Sequence, residues 1–356
     1  MDHDRERGRI FYTEPAHRRL VKVVDWLDEK GIVRCSEHYN RYGALYARTV
    51  FNAKGQKVNK SYFSAEGKET IVENFVTGDI ILNEGKKVRI FPTKTDFVLH
   101  YLNRCGLGHK RIFFNSLSTP FFVSERLEAN DGGDVLFWNE PPRPDIPGNM
   151  QMILKGSAGR TGHIYVQKRK SYEKLIQLGA SPQMVTPKGY LWPFERENGG
   201  GRQALICTNS DNILNLTQLV EKLPQMHFHI AAITEMSSKL MAMEQFPNIS
   251  LYPGIKPQRY EELLTACDIY LDINYEGEIL SALRRAFLNN QLIFAFRETM
   301  HGRDYIGESH IYPGKDADRM AADIAAVLEN DKARQDALAQ QRKDALAEER
   351  DGYLDL

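Results

Sequence analysis

The chain has 356 residues, with 47 Lys+Arg balanced by 47 Asp+Glu, 42% hydrophobic residues and 26% charged ones. A formal net charge of zero excludes a global basic field for nucleic acid, and the length exceeds one compact core, so two or three domains are expected. No apolar run approaches the roughly 20 residues of a membrane helix, and the amino-terminal M-D-H-D-R-E-R-G-R does not read as a signal peptide.

The four cysteines, Cys35, Cys105, Cys207 and Cys267, are scattered without a C-x-x-C pair. That spacing predicts buried free thiols in a cytoplasmic, soluble protein rather than disulfides or a metal site, and no cofactor is expected.

Residues 1–92 read as an antiparallel β-meander. Runs such as R-I-F-Y-T, L-V-K-V-V-D-W-L, Y-A-R-T-V-F and K-V-R-I-F are separated by D-E-K-G, N-A-K-G, S-A-E-G and N-E-G-K. Each of these turns supplies Gly, Asn or Asp where a hairpin needs positive φ. Gly55 and Gly67 sit in near-copies of one hairpin, F-N-A-K-G-Q-K-V and F-S-A-E-G-K-E-T. Such a sheet has two edges, and edges are natural pairing surfaces.

From Lys94 the period changes to that of a helix, with Phe97, Val98, Tyr101, Leu102 and Cys105 as the apolar stripe. Alternating strands and helices follow over residues 93–192, predicting a parallel sheet in a first Rossmann-like half. The strand ends carry polar groups. Ser116, Ser118 and Thr119 close one strand, and Trp138, Asn139 and Glu140 close the next. An aromatic face beside an amide and a carboxylate suits a sugar ring or a peptide, although capping and core packing explain the same residues. The Gly-rich stretch between Trp192 and Arg202 marks a domain boundary.

Residues 193–356 read as a second Rossmann-like half. The turn Thr208-Asn209-Ser210-Asp211 lies where a nucleotide phosphate loop would lie, but it has no glycine or lysine, and Asp211 would repel phosphate. Asn209 or Ser210 as a helix N-cap is the simpler reading. The turn around Thr234 and Glu235 lacks glycine as well, so Cβ atoms crowd any diphosphate, and Glu235 and Ser237 are candidate caps. His227 and His229 share one strand face, a hydrogen-bonded pair at the core edge without the third ligand of a metal site. His100, His109, His163 and His301 stand alone.

The stretch Ala266 to Phe296 reads as strand, loop, helix, strand. Asp268 to Ile273 alternates like a half-buried strand, and Ile279, Leu280, Leu283, Ala286 and Phe287 form a helix face ending at Asn289-Asn290. This stretch resembles the donor-binding helix of GT-B glycosyltransferases, which use two facing Rossmann halves. There the pattern is a Glu, seven residues, then a second Glu. Here Arg285 stands at the second Glu, Gly277 at the first, and Glu278 one place off. The scaffold is present and the donor carboxylate is replaced by a cation.

The strings V-V-D-W-L-D-E-K-G, V-E-N-F-V-T-G-D-I-I-L-N, F-N-S-L-S-T-P-F-F-V-S, F-H-I-A-A-I-T-E-M-S-S-K-L and C-D-I-Y-L-D-I-N are similar, along nearly the whole chain, to the GtfB family. Its members are glycosylation chaperones, or stabilising subunits, of the accessory Sec system. The resemblance implies an α/β, GT-B-like fold of two Rossmann-like halves, with an antiparallel β-meander domain at the N-terminus. It also implies a non-catalytic partner of a GtfA-type glycosyltransferase, in a hetero-oligomer such as a heterotetramer, that modifies Ser/Thr of serine-rich repeat adhesins with N-acetylglucosamine. Association with the cytoplasmic face of the membrane goes with the family. Relatives carry an extra stretch before the meander, so a shortened member with an incomplete first half is expected.

The expected acceptor cleft is built from Ser116, Ser118, Trp138, Asn139, Glu140, Asn209, Thr234, Glu235, Asn274 and Arg285. The alternative is an active retaining GT-B enzyme with a UDP-sugar donor, in which Glu278 or Glu235 replaces the lost carboxylate. A third reading is a bare scaffold whose cleft is vestigial.

Overall fold

The computed structural model describes residues 5–14, 16–129 and 133–354; the first four residues of the amino-terminal segment lie outside them. The meander is built of eight strands: β1 (Gly8–Tyr12), β2 (Val21–Leu27), β3 (Val33–Tyr39), β4 (Leu45–Phe51), β5 (Lys57–Phe63), β6 (Glu69–Asn74), β7 (Ile80–Glu84) and β8 (Lys87–Phe91). They pair in sequence order as one antiparallel sheet.

Local turn chemistry explains the regularity. Asp28, Asn40, Asn52 and Ser64 recur every twelve residues, and a glycine follows each by three. At Asn52 the side-chain Oδ1 accepts from the N–H groups of Lys54 (2.9 Å) and Gln56 (3.0 Å), and Gly55 takes φ 74°. Asp28 and Asn40 repeat the same pair of bonds. An Asx turn closed by a left-handed glycine fixes these three hairpins, the Ser64 hydroxyl takes the same place in the fourth, and each turn thereby sets the register of the strands it joins.

The chain continues through α1 (Lys94–Arg104), β9 (Phe113–Phe114), α2 (Thr119–Arg126), β10 (Asp134–Trp138), α3 (Gly148–Leu154), β11 (Thr161–Val166), α4 (Arg169–Gln177) and β12 (Val185–Pro187). These four strands form a sheet in the order β12-β11-β10-β9, and the β9/β10 and β11/β12 pairs are parallel. Neither α3 nor β12 is evident from periodicity, since each is too short to show a period. The stripe of α1 is only partly covered: Tyr101 and Cys105 are exposed. Only Cys207 and Cys267 are the buried thiols expected; Cys35 is intermediate.

The last part contains β13 (Gln203–Cys207), α5 (Leu216–Lys222), β14 (His227–Ala231), α6 (Ser238–Met241), β15 (Ile249–Tyr252), α7 (Pro257–Ala266), β16 (Ile269–Asp272), α8 (Ala282–Leu288), β17 (Leu292–Phe296), β18 (Ile311–Tyr312), α9 (Ala317–Glu329) and α10 (Asp331–Asp344). Its six strands are all parallel in the order β15-β14-β13-β16-β17-β18, the doubly wound order with its switch point between β13 and β16. One core face packs Leu219, Met320 and Ile324 against the sheet, and the other packs Leu263, Ala286 and Phe287.

Because β16 lies between β13 and β17 with helices over both faces, all four of its residues are buried, not alternate ones as its polar pattern suggests. Asn290 does take positive φ (52°) where α8 ends.

The chain divides into two compact units. The first is the stretch up to Leu136 with Pro147–His163, and the second is Phe137–Ile146 with Ile164 onward.

Candidate functional site

Within the second unit, a cavity of about 360 Å³ opens where β10 and β11 end. Ligands of open α/β sheets bind at the carboxyl ends of strands. One wall is aromatic. Tyr190 and Trp192 alternate along an extended segment, so both rings reach the same side, with centroids 4.9 Å apart. Trp192 packs edge-on against Tyr305 (5.8 Å), and Phe287 backs both rings from the core. Burial raises the pKa of Tyr190 and of Tyr305, so both phenols remain neutral donors at physiological pH.

The opposite walls are charged and paired. Arg169 donates to Asp344 (2.7 Å) and to the Lys343 carbonyl (2.9 Å), and the second Asp344 oxygen accepts from the Glu308 N–H (2.9 Å). Lys168 lies 3.6 Å from Asp304, and Arg303 pairs with Glu308. Asn139 reaches the Tyr190 hydroxyl. An aromatic wall with paired ions and an amide can hold a polar chain or ring by stacking and hydrogen bonding.

The expected cleft residues separate into several places. Asn139 lines the cavity, and Glu140 follows it, held by Arg143 at 3.3 Å. The aromatic platform expected at Trp138 is not presented: its side chain is 3% exposed, because β10 turns it into the core. Ser116 and Ser118 belong to the first unit, their hydroxyls 2.9 Å apart.

Asn209, Thr234 and Glu235 gather at the carboxyl ends of β13 and β14. Asn209 caps no helix; its Oδ1 accepts from the N–H of Ile233 (3.0 Å) and the hydroxyl of Thr234 (3.4 Å), tying two loops together. The helix starts later, with Asn215 as the N-cap of α5. Ser237 does cap α6, accepting from the Leu240 N–H at 3.2 Å. Asn274 is 1% exposed with both side-chain polar atoms unpaired. Arg285 is clamped by both carboxylate oxygens of Glu261 at 2.5 Å and lies over the Tyr260 ring, so its charge is spent within the helix layer.

Where the sequence reading sets a nucleotide phosphate loop, after β13, the chain presents its own acids. A second cavity is lined by Asn209, Asp211, Glu235 and Glu276. Ile279 to Ser281 do not extend the helix as their spacing predicts. Leu280 and Ser281 take positive φ, and the Glu278 carboxylate accepts from the Leu283 N–H (2.9 Å) inside the first turn of α8. The Glu278 carboxylate thus takes one of the backbone donors that an anion at this helix start would use.

Sequence reasoning missed His301, which looked isolated. Its Nδ1–H donates to the buried Asp272 (2.5 Å), its backbone N–H to the other Asp272 oxygen (2.7 Å), and its Nε2–H to the Glu276 carbonyl. Asp272 and His301 stand 29 residues apart in the chain, so no local spacing reveals the pair. The aromatic wall did carry a signal, the alternation G-Y-L-W-P-F just before the Gly-rich linker.

These histidines predict a pH profile. The bond to Asp272 raises His301 to about 9, so the stability it carries is full below about pH 6.5 and lost as pH rises through 9. Burial lowers His229 and His310 to about 4, so they stay neutral in the fold while the unfolded chain takes up protons near 6.5. Their contribution is full above about pH 6.5 and is lost as pH falls toward 4, on the order of 2 kcal/mol each. Urea midpoints should therefore fall on both sides of neutrality, and His310→Leu should flatten the acid limb. An acid limb unchanged by that substitution would contradict the assignment. His227 and His229 are hydrogen-bonded as expected, to Ser250 (2.8 Å) and to Tyr252 and Gln203 (2.9 and 3.0 Å).

Comparison with known proteins places this architecture. Family models match in three consecutive blocks: the GtfB middle domain over residues 1–92, the GtfB third domain over residues 94–178, and the GftB/GlyA-F C-terminal domain over residues 204–341. The chain is 44% identical over 331 residues to the UDP-N-acetylglucosamine--peptide N-acetylglucosaminyltransferase stabilizing protein GtfB of Streptococcus gordonii, covering 92% of this chain and 73% of that one. The chain belongs to the GtfB family. Its counterpart in Streptococcus pneumoniae is 38% identical over 358 residues, covering 100% of this chain and 79% of that protein. Among solved structures, a chain of a GtfA/B complex bound to UDP and GlcNAc superposes with a TM-score of 0.86 at 41% identity, covering 100% of this chain and 80% of that one. Among the described residues no helix is long and apolar enough to cross a membrane, and no three His, Cys, Asp or Glu side chains gather as a metal site.

Proposed function

We propose that this chain is the stabilising and acceptor-binding subunit of a peptide N-acetylglucosaminyltransferase, with two Rossmann-like halves in a GT-B-like arrangement. Its catalytic partner is a GtfA-type glycosyltransferase, and its acceptor a serine-rich repeat adhesin modified on Ser/Thr in the cytoplasm before accessory Sec export. The single observation that supports the non-catalytic part is the set of carboxylates around the cavity beyond β13. Asp211, Glu235 and Glu276 line it, and Glu278 holds the helix N-terminus. A UDP diphosphate would meet like charge there.

The partner contact is assigned to the meander. Its edge strands β1 and β8 are exposed almost throughout, and they present Ile10, Phe11, Val88 and Ile90 along edges that no further strand of the described residues pairs. Apolar edges of this kind favour a hetero-oligomer, with a heterotetramer as one closed form. The acceptor site is the cavity walled by Tyr190, Trp192 and Tyr305. A disordered repeat would bind there weakly per contact and gain avidity from its many copies. Peripheral placement at the cytoplasmic face of the membrane is part of the same reading.

The test is transfer from UDP-N-acetylglucosamine to a serine-rich repeat fragment by this chain alone, by the catalytic partner alone and by the mixture. The expected result is no turnover by this chain, and a gain on mixing. Tyr190→Ala in the mixture should raise the acceptor KM about tenfold without loss of partner co-purification. Turnover by this chain alone would overturn the proposal.

A further inference from the structure

We propose that the segment Leu346–Tyr353 is a positioning element for the acceptor cavity, acting through Glu348 and Tyr353 on the wall that carries Tyr190. The inference rests on the reading of that cavity as the acceptor site.

After α10 the chain reverses at Leu346, a branched residue held at φ 48°, and runs beside residues 188–190 as a parallel bridge between Ala347 and Tyr190. Residues other than Gly and Asn rarely stay in that conformation unless the surroundings impose it.

The imposed contacts are complete. The Tyr190 N–H donates to the Leu346 carbonyl (3.1 Å), and the Tyr190 carbonyl accepts from the Glu348 N–H (2.9 Å). The Gly189 N–H donates to the Glu348 carboxylate (3.3 Å), and the Gly189 carbonyl accepts from the Tyr353 hydroxyl. All four backbone polar groups of Gly189 and Tyr190 are thus taken by this one segment.

Packing reinforces the bonds. A Cβ at Gly189 would fall inside the Leu346 carbonyl, so only glycine allows so close an approach. The Tyr353 ring stacks on Phe137 at 6.2 Å and 13°, one residue before Trp138, and carries Lys188 over its face at 5.3 Å. Lys188 also lies 3.8 Å from Glu348. At its near end the segment follows directly on Asp344 and Ala345, which themselves line the cavity. Tyr190 therefore faces the cavity from a backbone with no freedom of its own. A binding group held that way loses little entropy when the acceptor arrives.

The test uses the full chain in complex with its catalytic partner, with a serine-rich repeat fragment as acceptor. Glu348→Ala and Tyr353→Ala should each speed hydrogen exchange at the Tyr190 amide and raise the acceptor KM about fivefold, leaving kcat and co-purification unchanged. Tyr353→Phe keeps the stacked ring and should change KM by only about twofold. Unchanged Tyr190 exchange in both alanine variants overturns the proposal, and so does faster exchange with unchanged KM. An unchanged KM in Tyr190→Ala overturns the acceptor reading instead, and the exchange result distinguishes the two failures.

Discussion

Arg160→Met is expected to destabilise the first unit by about 3–5 kcal/mol, the cost of leaving a buried charge without its partner. The Arg160 guanidinium is 2% exposed and lies 2.9 Å from the fully buried Asp134 carboxylate. It also donates to the carbonyls of Gly108 (2.6 Å) and Glu128 (3.0 Å), and to that of Lys110, so one side chain satisfies three loop carbonyls. Asp134 in turn accepts from the Ile112 N–H (2.9 Å) and the Ser124 hydroxyl (2.7 Å). Methionine fills the volume but abandons all of these groups. Urea titration followed by circular dichroism measures the loss, and the double substitution Arg160→Met with Asp134→Leu should recover part of it. A loss below about 1 kcal/mol would mean that the pair is not the anchor of these loops.

Phe287→Ala should cost about 3–5 kcal/mol and weaken acceptor binding at the same time. The ring is fully buried on α8, 5.5 Å from Trp192, 5.3 Å from Phe194 and 5.3 Å from Tyr305. Its removal leaves a void behind Trp192 and Tyr305, two of the three aromatic residues of the cavity wall, and they relax into it. The acceptor KM should rise while partner co-purification, assigned to the meander, persists. Phe287→Leu should keep most of the stability, because it retains most of the buried volume. An unchanged acceptor KM in a folded Phe287→Ala protein would separate this core from the cavity.

Elements whose cause is local were readable from the residues alone. The meander was legible because several of its hairpins carry their own Asx residue and glycine, as at Asn52 and Gly55, and those groups bond within five residues of one another. The parallel pairing of the last sheet followed from strand–helix alternation, and the absence of glycine at Thr208–Asp211 and Thr234–Glu235 already argued against a diphosphate loop.

Which polar residues are free to act was settled by packing between distant parts of the chain. Trp138 reads as a platform and is core, because its strand faces inward. Arg285 reads as a cleft cation and is held by Glu261, 24 residues away. Glu278, one place off an expected donor carboxylate, turns back to cap its own helix. Asp272 and His301 meet across 29 residues, and Tyr190 is fixed by residues more than 150 positions further on. Local periodicity records which face of an element is apolar. It carries no record of partners that remote segments bring to the same point, and those partners decide which of these groups are free to act.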